Sequence, residues 1–324
     1  MIVRWGLAEL PSLLKELGIE EPLLVTTDRW RDLDLPASRT FYGVRPHTPI
    51  DSVQQAIEAA ESADGILAVG GGSAIDTAKA VSAETGLPVV SLPTTYSGAE
   101  WTPTFGIRDE DQRAKGGGGG AAVEGIVYEP ELTLGLPAGE TAGTALNALA
   151  HCAEALYVRG RNPRADAEAL AGARLISSSL PLVVPDGDYV EARRQLLEGA
   201  MHAGAALAGA GLGLAHAMAQ ALGGRYGLPH GAMNAICLPP ALRFNLSVAE
   251  DEIARFGEAM STHDPIGRVE ELARLGGFTL LRHFGVPEEE LAEVGAAAAA
   301  RGGAQMNPRP SSPAQVAELL RSVW

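Results

Sequence analysis

The chain has 324 residues, of which 46% are hydrophobic and 20% charged, and its formal net charge is -15. This size predicts a large buried core and about two domains. The acidic excess argues against a nucleic-acid or anionic-membrane partner, because both need basic patches that neutralise phosphate. No uncharged apolar run reaches the roughly 18 residues of a membrane span, and the start of the chain lacks the features of a secretory signal, so we expect a cytoplasmic protein.

The first half of the chain alternates short apolar runs with helical stretches. The apolar runs lie at 21–28, 63–72 and 87–95 and are bounded by Pro, Gly or Asp, and a helix is predicted at 52–62. Such alternation is typical of a parallel sheet covered by helices. The segment that follows Asp28 leaves little room for a full helix before the next strand.

The strongest local motif is ILAVGGGSAIDTAKA, in which an apolar strand runs into three glycines and Ser73 and then into a helix. Glycines allow close backbone approach, and the first turn of a helix offers unpaired N–H groups, so the motif suits a phosphate. A tight turn with a serine N-cap explains the same residues without a ligand. The motif is neither the GxGxxG fingerprint nor a Walker loop.

A second polar turn, LPTTYSGAEWTP, follows the next strand. The carboxyl ends of parallel strands meet at one edge of a sheet, which is where ligands bind in open α/β folds. We therefore expect the two turns to face one crevice. This pairing favours a nucleotide site over the ligand-free interpretation of the glycine motif.

The second half of the chain has a different pattern. The glycine-rich tract at 115–125 predicts a mobile loop, and the strand signals stop after the segment 126–137. Long helical runs rich in Ala, Leu and Gly follow to the end. The sequence therefore predicts an α/β dinucleotide-binding domain over 1–137 and an all-α substrate and catalytic domain over 138–324.

The order of the motifs along nearly the whole chain resembles the iron-containing alcohol dehydrogenase superfamily, and within it the maleylacetate reductases. The motifs are AVGGGSAIDTAKA, LPTTYSGAEWTPTFGI, IVYEPELTLGLP, ALNALAHCAEALY, GLGLAHAMAQALGGRYGLPH and NPRPSSPAQVAELL. The resemblance implies the dehydroquinate synthase-like fold of that superfamily, usually as a homodimer. It also implies that NADH or NADPH reduces maleylacetate, a small dicarboxylate, to 3-oxoadipate during bacterial breakdown of aromatic compounds.

The same resemblance implies a set of site residues. The catalytic positions match Lys115, Asn147, His151, His216, Gln220 and His230. The cofactor-binding positions match Asp28, Gly71, Gly72, Ser73, Asp76, Thr94, Thr95 and Ser97. For the carboxylates of the substrate we consider Tyr96 together with Arg225 and Arg309, because guanidinium groups pair with carboxylates through two hydrogen bonds, although both arginines suit surface positions equally well.

Metal-binding relatives in this superfamily use an aspartate and three histidines, and the matching residues here are Asn147, His151, His216 and His230. Asn147 replaces the carboxylate with a neutral amide, which is a much weaker partner for Fe²⁺ or Zn²⁺. We therefore expect no bound metal; if one binds, the three histidines are its ligands. Without a metal, one of the histidines is expected to supply the proton, since imidazole titrates near working pH.

Further departures from the family pattern leave other functions open. Gln220 stands where relatives have a histidine and cannot donate a proton as an acid near neutral pH, and Asn234 and Pro240 also replace expected histidines. One alternative is a metal-dependent alcohol or glycerol-type dehydrogenase of the same superfamily. Another is a homologue that keeps the fold but has a non-redox or biosynthetic role. The sequence does not distinguish NADH from NADPH.

Overall fold

The computed structural model describes residues 1–109 and 114–324, which form two compact units. Unit 1 contains Met1–Thr95 and Ala99–Leu134, and unit 2 contains Tyr96–Gly98 and Gly135–Trp324. The chain therefore enters unit 2 for a short segment before it completes unit 1.

Unit 1 is built on a parallel sheet. The strands found in the described residues are β1 (Ile2–Trp5), β2 (Pro22–Val25), β3 (Arg39–Phe41), β4 (Gly65–Gly70), β5 (Pro88–Pro93), β6 (Phe105–Asp109), β7 (Ala114–Gly118) and β8 (Ala122–Tyr128). The α-helices of this unit are α1 (Leu10–Glu16), α2 (Ile50–Ala59) and α3 (Gly72–Thr85). Six strands pair in parallel in the order β1-β8-β5-β4-β2-β3, so the predicted parallel sheet is confirmed. The short strand β1 was not predicted.

Neighbouring residues on the central strands face opposite sides of this sheet. Leu24 and Leu67 pack on one side with apolar residues of α1, whereas Leu23 and Ile66 pack on the other side with residues of α2 and α3. This alternation follows from the two-residue period of a strand. A sheet that is buried on both faces explains why its central strands are continuous apolar runs.

The glycine-rich tract is largely strand. Residues 115–118 belong to β7, which pairs antiparallel with β6, and residues 122–125 belong to β8. A Cβ at Gly117 would collide with the backbone of Phe105, so glycine there allows the two strands to approach. The prediction of a mobile loop over 115–125 is therefore wrong for these residues.

Unit 2 is helical, and no strand occurs among its described residues. Its α-helices are α4 (Ala138–Ala155), α5 (Pro163–Val183), α6 (Val190–Ala210), α7 (Leu214–Tyr226), α8 (His230–Asn245), α9 (Glu250–Ala259), α10 (Pro265–Leu275), α11 (Leu291–Ala299), α12 (Gly302–Met306) and α13 (Pro313–Arg321). Helix α4 is buried along most of its length and packs against α5, α6 and α8. Asn147, His151 and Glu154 lie on one face of α4 because their spacings match the helical repeat.

Among the described residues, no single helix is both long enough and apolar enough to cross a bilayer. Helices α6 and α7 satisfy the length and composition test only as a pair, and they are bent by 101° at the break between them.

Candidate active site

The glycine-rich turn between β4 and α3 lies where the order of strands reverses. Strand β3 lies beyond β2 on one side of the sheet, and β5 lies beyond β4 on the other. Ligands of open α/β sheets bind outside the carboxyl ends of the strands at such a reversal. The turn after β4 is therefore at the position where the fold favours a ligand.

Helix α3 begins at this turn without a side-chain cap, because its N-cap residue is Gly71. A Cβ at Gly71 would come 2.9 Å from Cγ2 of Thr95, so only glycine lets the turn after β5 pack this closely on the turn after β4. Gly71 and Gly72 stay partly exposed. The N–H groups at the start of this 14-residue helix suit an anion such as a diphosphate.

Two residues expected to bind the cofactor, Ser73 and Asp76, have hydrogen-bond partners within the protein. The Ser73 hydroxyl accepts a hydrogen bond from the backbone N–H of His47 at 3.0 Å. Ser73 is not the N-cap of α3, so the serine-cap interpretation is wrong. The carboxylate of Asp76 accepts a hydrogen bond from the Gly106 N–H at 3.1 Å and pairs with Lys79 at 3.0 Å. Asp76 therefore anchors the hairpin strand β6.

The two threonines after β5 differ in their surroundings. Thr94 is buried, and its backbone N–H donates to the Gly70 carbonyl at 3.0 Å. The hydroxyl of Thr95 is buried and has no hydrogen-bond partner within the part of the chain that the structure describes. An unpaired buried hydroxyl beside the glycine turn is a polar group that a ligand can satisfy.

Asp28 and Lys115 are two more predicted residues of unit 1. Asp28 follows β2, is exposed, and forms an ion pair with Arg31. A short 3-10 helix, Asp28–Trp30, stands in place of a full helix, as predicted. Lys115 pairs with Arg108 through the backbone of β7, and its side chain lies outside the described part of the structure.

The segment 96–98 brings a backbone carbonyl to the interior of unit 2. The hydroxyl of Tyr96 accepts a hydrogen bond from the buried Arg193 of α6 at 3.1 Å. The carbonyl of Ser97 accepts one from the side-chain amide of Asn147 at 3.0 Å. Tyr96, which was considered for the substrate, is fully buried, and Ser97, which was expected at the cofactor, lies against Asn147.

Asn147, His151, His216 and His230 lie together in unit 2. The rings of His151 and His216 are stacked, with centroids 4.6 Å apart and planes inclined by 16°. The centroid of the His230 ring lies 5.8 Å from that of His216. Helix α4 carries the first two residues, and α7 and the start of α8 carry the others.

The side chain of Asn147 uses all of its hydrogen-bonding positions. Its Nδ2 donates to the Ser97 carbonyl and lies 3.5 Å from Nε2 of His151. Its Oδ1 accepts from Asn234 at 2.7 Å and lies 3.3 Å from Nε2 of His216. The Ser97 carbonyl fixes this orientation, because a flipped amide would place two oxygens against each other. The Oδ1 acceptor of Asn147 therefore faces Nε2 of His216.

Asn234 extends the same network and was not recognised as a site residue from the sequence. Its amide nitrogen donates to Asn147 and lies 3.1 Å from Nε2 of His230. Nε2 of His230 therefore accepts, and the hydrogen of this ring is on Nδ1. The amides of Asn147 and Asn234 together occupy the space between the three imidazole rings.

Glu154 is a second residue that the sequence interpretation missed. Its fully buried carboxylate lies 2.6 Å from Nδ1 of His216 and accepts backbone hydrogen bonds from Gly213 and Ala215, each at 2.7 Å. A longer bond of 3.3 Å comes from the His216 N–H. Glu154 thus satisfies the first turn of α7, as favoured by the helix dipole. Nδ1 of His216 donates to this carboxylate, and Nε2 of the same ring faces Oδ1 of Asn147.

Lowering the pH should destabilise the protein through His151. Burial, and then the neighbouring His216, holds the pKa of His151 well below the usual histidine value. The unfolded chain therefore takes up this proton at a higher pH than the folded protein does. The stabilisation is complete above about pH 6.5 and decreases below it by at most about 1.4 kcal/mol per pH unit. Urea unfolding between about pH 7 and 5 should show this slope.

His151→Asn should remove most of that pH dependence, and His263→Asn, at an exposed position, should leave it unchanged. Equal slopes in the His151→Asn variant and the unaltered protein would contradict the assignment to His151.

Two family models match the chain. "Iron-containing alcohol dehydrogenase" matches residues 2–121, and "Fe-containing alcohol dehydrogenase family, C-terminal" matches residues 141–324. The chain belongs to the iron-containing alcohol dehydrogenase family. It is therefore an oxidoreductase.

Relatives of this family member include several maleylacetate reductases. The maleylacetate reductase of Burkholderia cepacia is 35% identical over 99% of this chain and 95% of its own. The crystal structure of maleylacetate reductase from Rhizobium sp. strain MTP-10005 covers 100% of this chain and 95% of its own, with 30% identity and a TM-score of 0.90. A putative alcohol dehydrogenase from Ralstonia eutropha JMP134 matches with a TM-score of 0.93 and 33% identity, covering 100% and 95%. These relatives confirm the predicted fold and the maleylacetate reductase branch.

The histidine cluster of this family member does not fit a divalent cation. A metal needs one lone pair from each histidine. The Nε2 atoms of His151, His216 and His230 instead face amide groups at 3.5, 3.3 and 3.1 Å. In the described ranges, no group of three or more His, Cys, Asp or Glu side chains is arranged to hold a metal.

The remaining predicted residues have other contacts. Gln220 follows His216 by one turn on α7 and accepts a hydrogen bond from Arg301 at 3.3 Å. Arg225 pairs with two carboxylates of the α11 region, each at 2.6 Å. Arg309 stacks on Phe244 at 4.0 Å and donates to its carbonyl at 2.7 Å. Pro240 is buried within α8.

Proposed function

We propose that this protein reduces maleylacetate to 3-oxoadipate with NADH or NADPH. The observation that carries the proposal is the amide-filled histidine cluster, in which Asn147 and Asn234 connect His151, His216 and His230. It occurs in a chain that aligns over almost its full length with maleylacetate reductases. The balanced reaction consumes one dinucleotide and one proton for each double bond reduced.

Unit 1 is proposed to bind the dinucleotide at the turn after β4. The residues fit such a ligand, because α3 starts at Gly71 without a side-chain cap and the hydroxyl of Thr95 lacks a protein partner in the described residues. A bound dinucleotide would supply a hydride to one carbon of the substrate double bond. The backbone of Gly71 and Gly72 would hold its diphosphate.

Gly71→Ala should raise the dissociation constant of NADH. The added Cβ would lie 2.9 Å from Cγ2 of Thr95 and force the two turns apart. Overpacking of this kind costs about 1–3 kcal/mol, which corresponds to a change of roughly 5- to 150-fold. Calorimetric titration with NADH measures the effect.

Gly139→Ala is the matched control for this variant, because its Cβ would have no neighbour within 4 Å. The control should bind NADH as the unaltered protein does. An unchanged affinity in Gly71→Ala would remove the turn from the proposed cofactor site.

The proton that completes the reduction is proposed to come from the histidine cluster. His216 is the member with an acceptor at each ring nitrogen, Glu154 at Nδ1 and Asn147 at Nε2. A carboxylate next to a buried imidazole stabilises its protonated form. His216 is therefore the member of the cluster that we propose supplies the proton.

The site is proposed to work without a metal ion. The proposal is supported by the contacts that the side chains of Asn147 and Asn234 make with the Nε2 atoms of His216 and His230 and with each other. A metal-dependent alcohol dehydrogenase, the first alternative, requires those nitrogens to be available. Stoichiometric iron or zinc in the purified protein, with activity lost on chelation, would favour that alternative.

The function is tested with purified protein, maleylacetate and either dinucleotide. Loss of NADH or NADPH absorbance with formation of 3-oxoadipate, identified by mass spectrometry, is the expected result. If neither NADH nor NADPH is oxidised, the proposal is refuted. If calorimetry also detects no dinucleotide binding, the non-redox homologue becomes the better interpretation.

We also propose a cytoplasmic homodimer that acts in the breakdown of aromatic compounds. The similarity to maleylacetate reductases supports this placement. Light scattering tests the dimer directly, and a monomeric mass would contradict it.

A further inference from the structure

Arg301 is a partly buried cation without a carboxylate partner in the part of the chain that the structure describes. Its Nη1 donates to Oε1 of Gln220 at 3.3 Å, whereas its Nε is buried and has no hydrogen-bond partner in the described residues. Arg225, Arg255 and Arg268 of the same unit are partly buried too, and each contacts a carboxylate. No ion pair of Arg301 is found in the described ranges. The chain has 40 acidic and 25 basic residues, so this isolation is not caused by a shortage of carboxylates.

Helix packing fixes Arg301 close to the histidine cluster. Gln220 follows His216 by four residues on α7, so their side chains share one face of the helix. The contact with Gln220 therefore places Arg301 about one helical turn, ~5.4 Å of rise, along α7 from His216. A Cβ at Gly303 would collide with the carbonyl of Gly213, so glycine at 303 lets α12 lie directly against the start of α7.

The unpaired Nε of Arg301 shares one edge of the guanidinium with Nη2. Nη1 is held by Gln220, which leaves Nε and Nη2 side by side on the other edge. Two parallel N–H donors match the two oxygens of a carboxylate. Burial lowers the pKa of Arg301, which is the expected direction for a cation desolvated without an anion. A bound carboxylate would remove both the unpaired donor and the uncompensated charge.

We propose that Arg301 binds one carboxylate of a dicarboxylate substrate through Nε and Nη2, with Gln220 orienting the guanidinium. The other part of the substrate then lies towards His216 on the same face of α7. This inference rests on the proposed function only in naming maleylacetate as that dicarboxylate. It assigns Gln220 a positioning role in place of the acid role of a histidine, which glutamine cannot perform.

Calorimetric titration of the full-length protein with adipate tests the site directly. Arg301→Gln should raise the dissociation constant of adipate about 10- to 100-fold, as expected for loss of hydrogen bonds to a charged group. Arg301→Lys keeps the charge but loses the paired donors. Its dissociation constant for adipate should therefore lie between those of the unaltered protein and Arg301→Gln. Arg243→Gln removes an exposed arginine paired with Glu270 and should leave adipate binding unchanged.

Two further probes define the ligand. The neutral six-carbon diol lacks both carboxylates. Any affinity for it should therefore be the same in Arg301→Gln and in the unaltered protein. Inorganic phosphate should bind more weakly than adipate. Equal adipate affinity in Arg301→Gln and the unaltered protein, at an unchanged melting temperature, would overturn the proposal, and so would phosphate binding as tight as that of adipate.

Turnover separates this inference from the proposed function. Arg301→Gln should raise KM for maleylacetate about 10- to 100-fold with a much smaller change in kcat, because the lost contact is made in the ground state as well. If the unaltered protein reduces no maleylacetate but binds adipate through Arg301, the function fails and the site stands. If it is active and Arg301→Gln has an unchanged KM, the function stands and the site fails.

Discussion

Replacing Glu154 with glutamine should lower the free energy of unfolding by about 3–5 kcal/mol, because it removes the buried charged acceptor of four hydrogen bonds. The carboxylate is fully buried and accepts from Gly213, Ala215 and His216 at the start of α7. A glutamine amide would direct hydrogens at donors that need an acceptor. Urea or guanidinium unfolding measures the loss.

Glu168→Gln is the matched control for this substitution. Glu168 lies 2.6 Å from Nδ1 of His202, which is the same separation as between Glu154 and His216. The side chains of Glu168 and His202 are both partly exposed, however. Exposed pairs contribute about 0–1 kcal/mol, so the control should change stability by no more than that. Similar losses in the two variants would contradict the structural role assigned to Glu154.

His216→Asn should lower kcat for maleylacetate reduction by about 100- to 10,000-fold, the range over which a positioned acid contributes. Asparagine can keep a donor near the position of Nδ1 and so retain the contact with Glu154, but it has no counterpart of Nε2. The dissociation constant of NADH should not change. Steady-state kinetics and calorimetry on the same preparation test both statements.

His263→Asn serves as the control, since His263 is exposed and lies in the turn before α10. It should retain full activity. If His216→Asn also retains full activity, the proton does not come from His216. His230→Asn and His151→Asn would then identify which neighbour supplies it.

Local signals explain how much of unit 1 could be predicted from the sequence. The strand β4, the glycine turn and helix α3 are adjacent in the chain, and their apolar run, glycines and helical spacing are visible without tertiary information. The strand at 115–118 was missed because its glycines have low strand propensity. That strand forms because it pairs with β6 and because its glycines have no side chains opposite Phe105. Both causes involve residues distant in the sequence, so the local sequence does not reveal them.

Part of the site in unit 2 could likewise be predicted from local sequence signals, and part depends on non-local contacts. Asn147 and His151 have a spacing that places them on one helix face, and the family motifs indicate His216 and His230. Glu154 lies 62 residues from His216 in the sequence, so its contact depends on the packing of α4 against α7. A glutamate three residues after His151 on a largely apolar helix was the available signal. For Arg301 the sequence offers no comparable signal, because its lack of a carboxylate partner is a property of the fold.

The most direct test of the central claim is activity and metal content measured on one preparation. The protein is treated with chelator, its iron and zinc are quantified, and NADH-dependent reduction of maleylacetate is followed. The structure predicts full activity with metal far below one ion per chain, because the amides of Asn147 and Asn234 occupy the ring nitrogens that a metal would need. Loss of activity on chelation and its return with Fe²⁺ or Zn²⁺ would contradict the account.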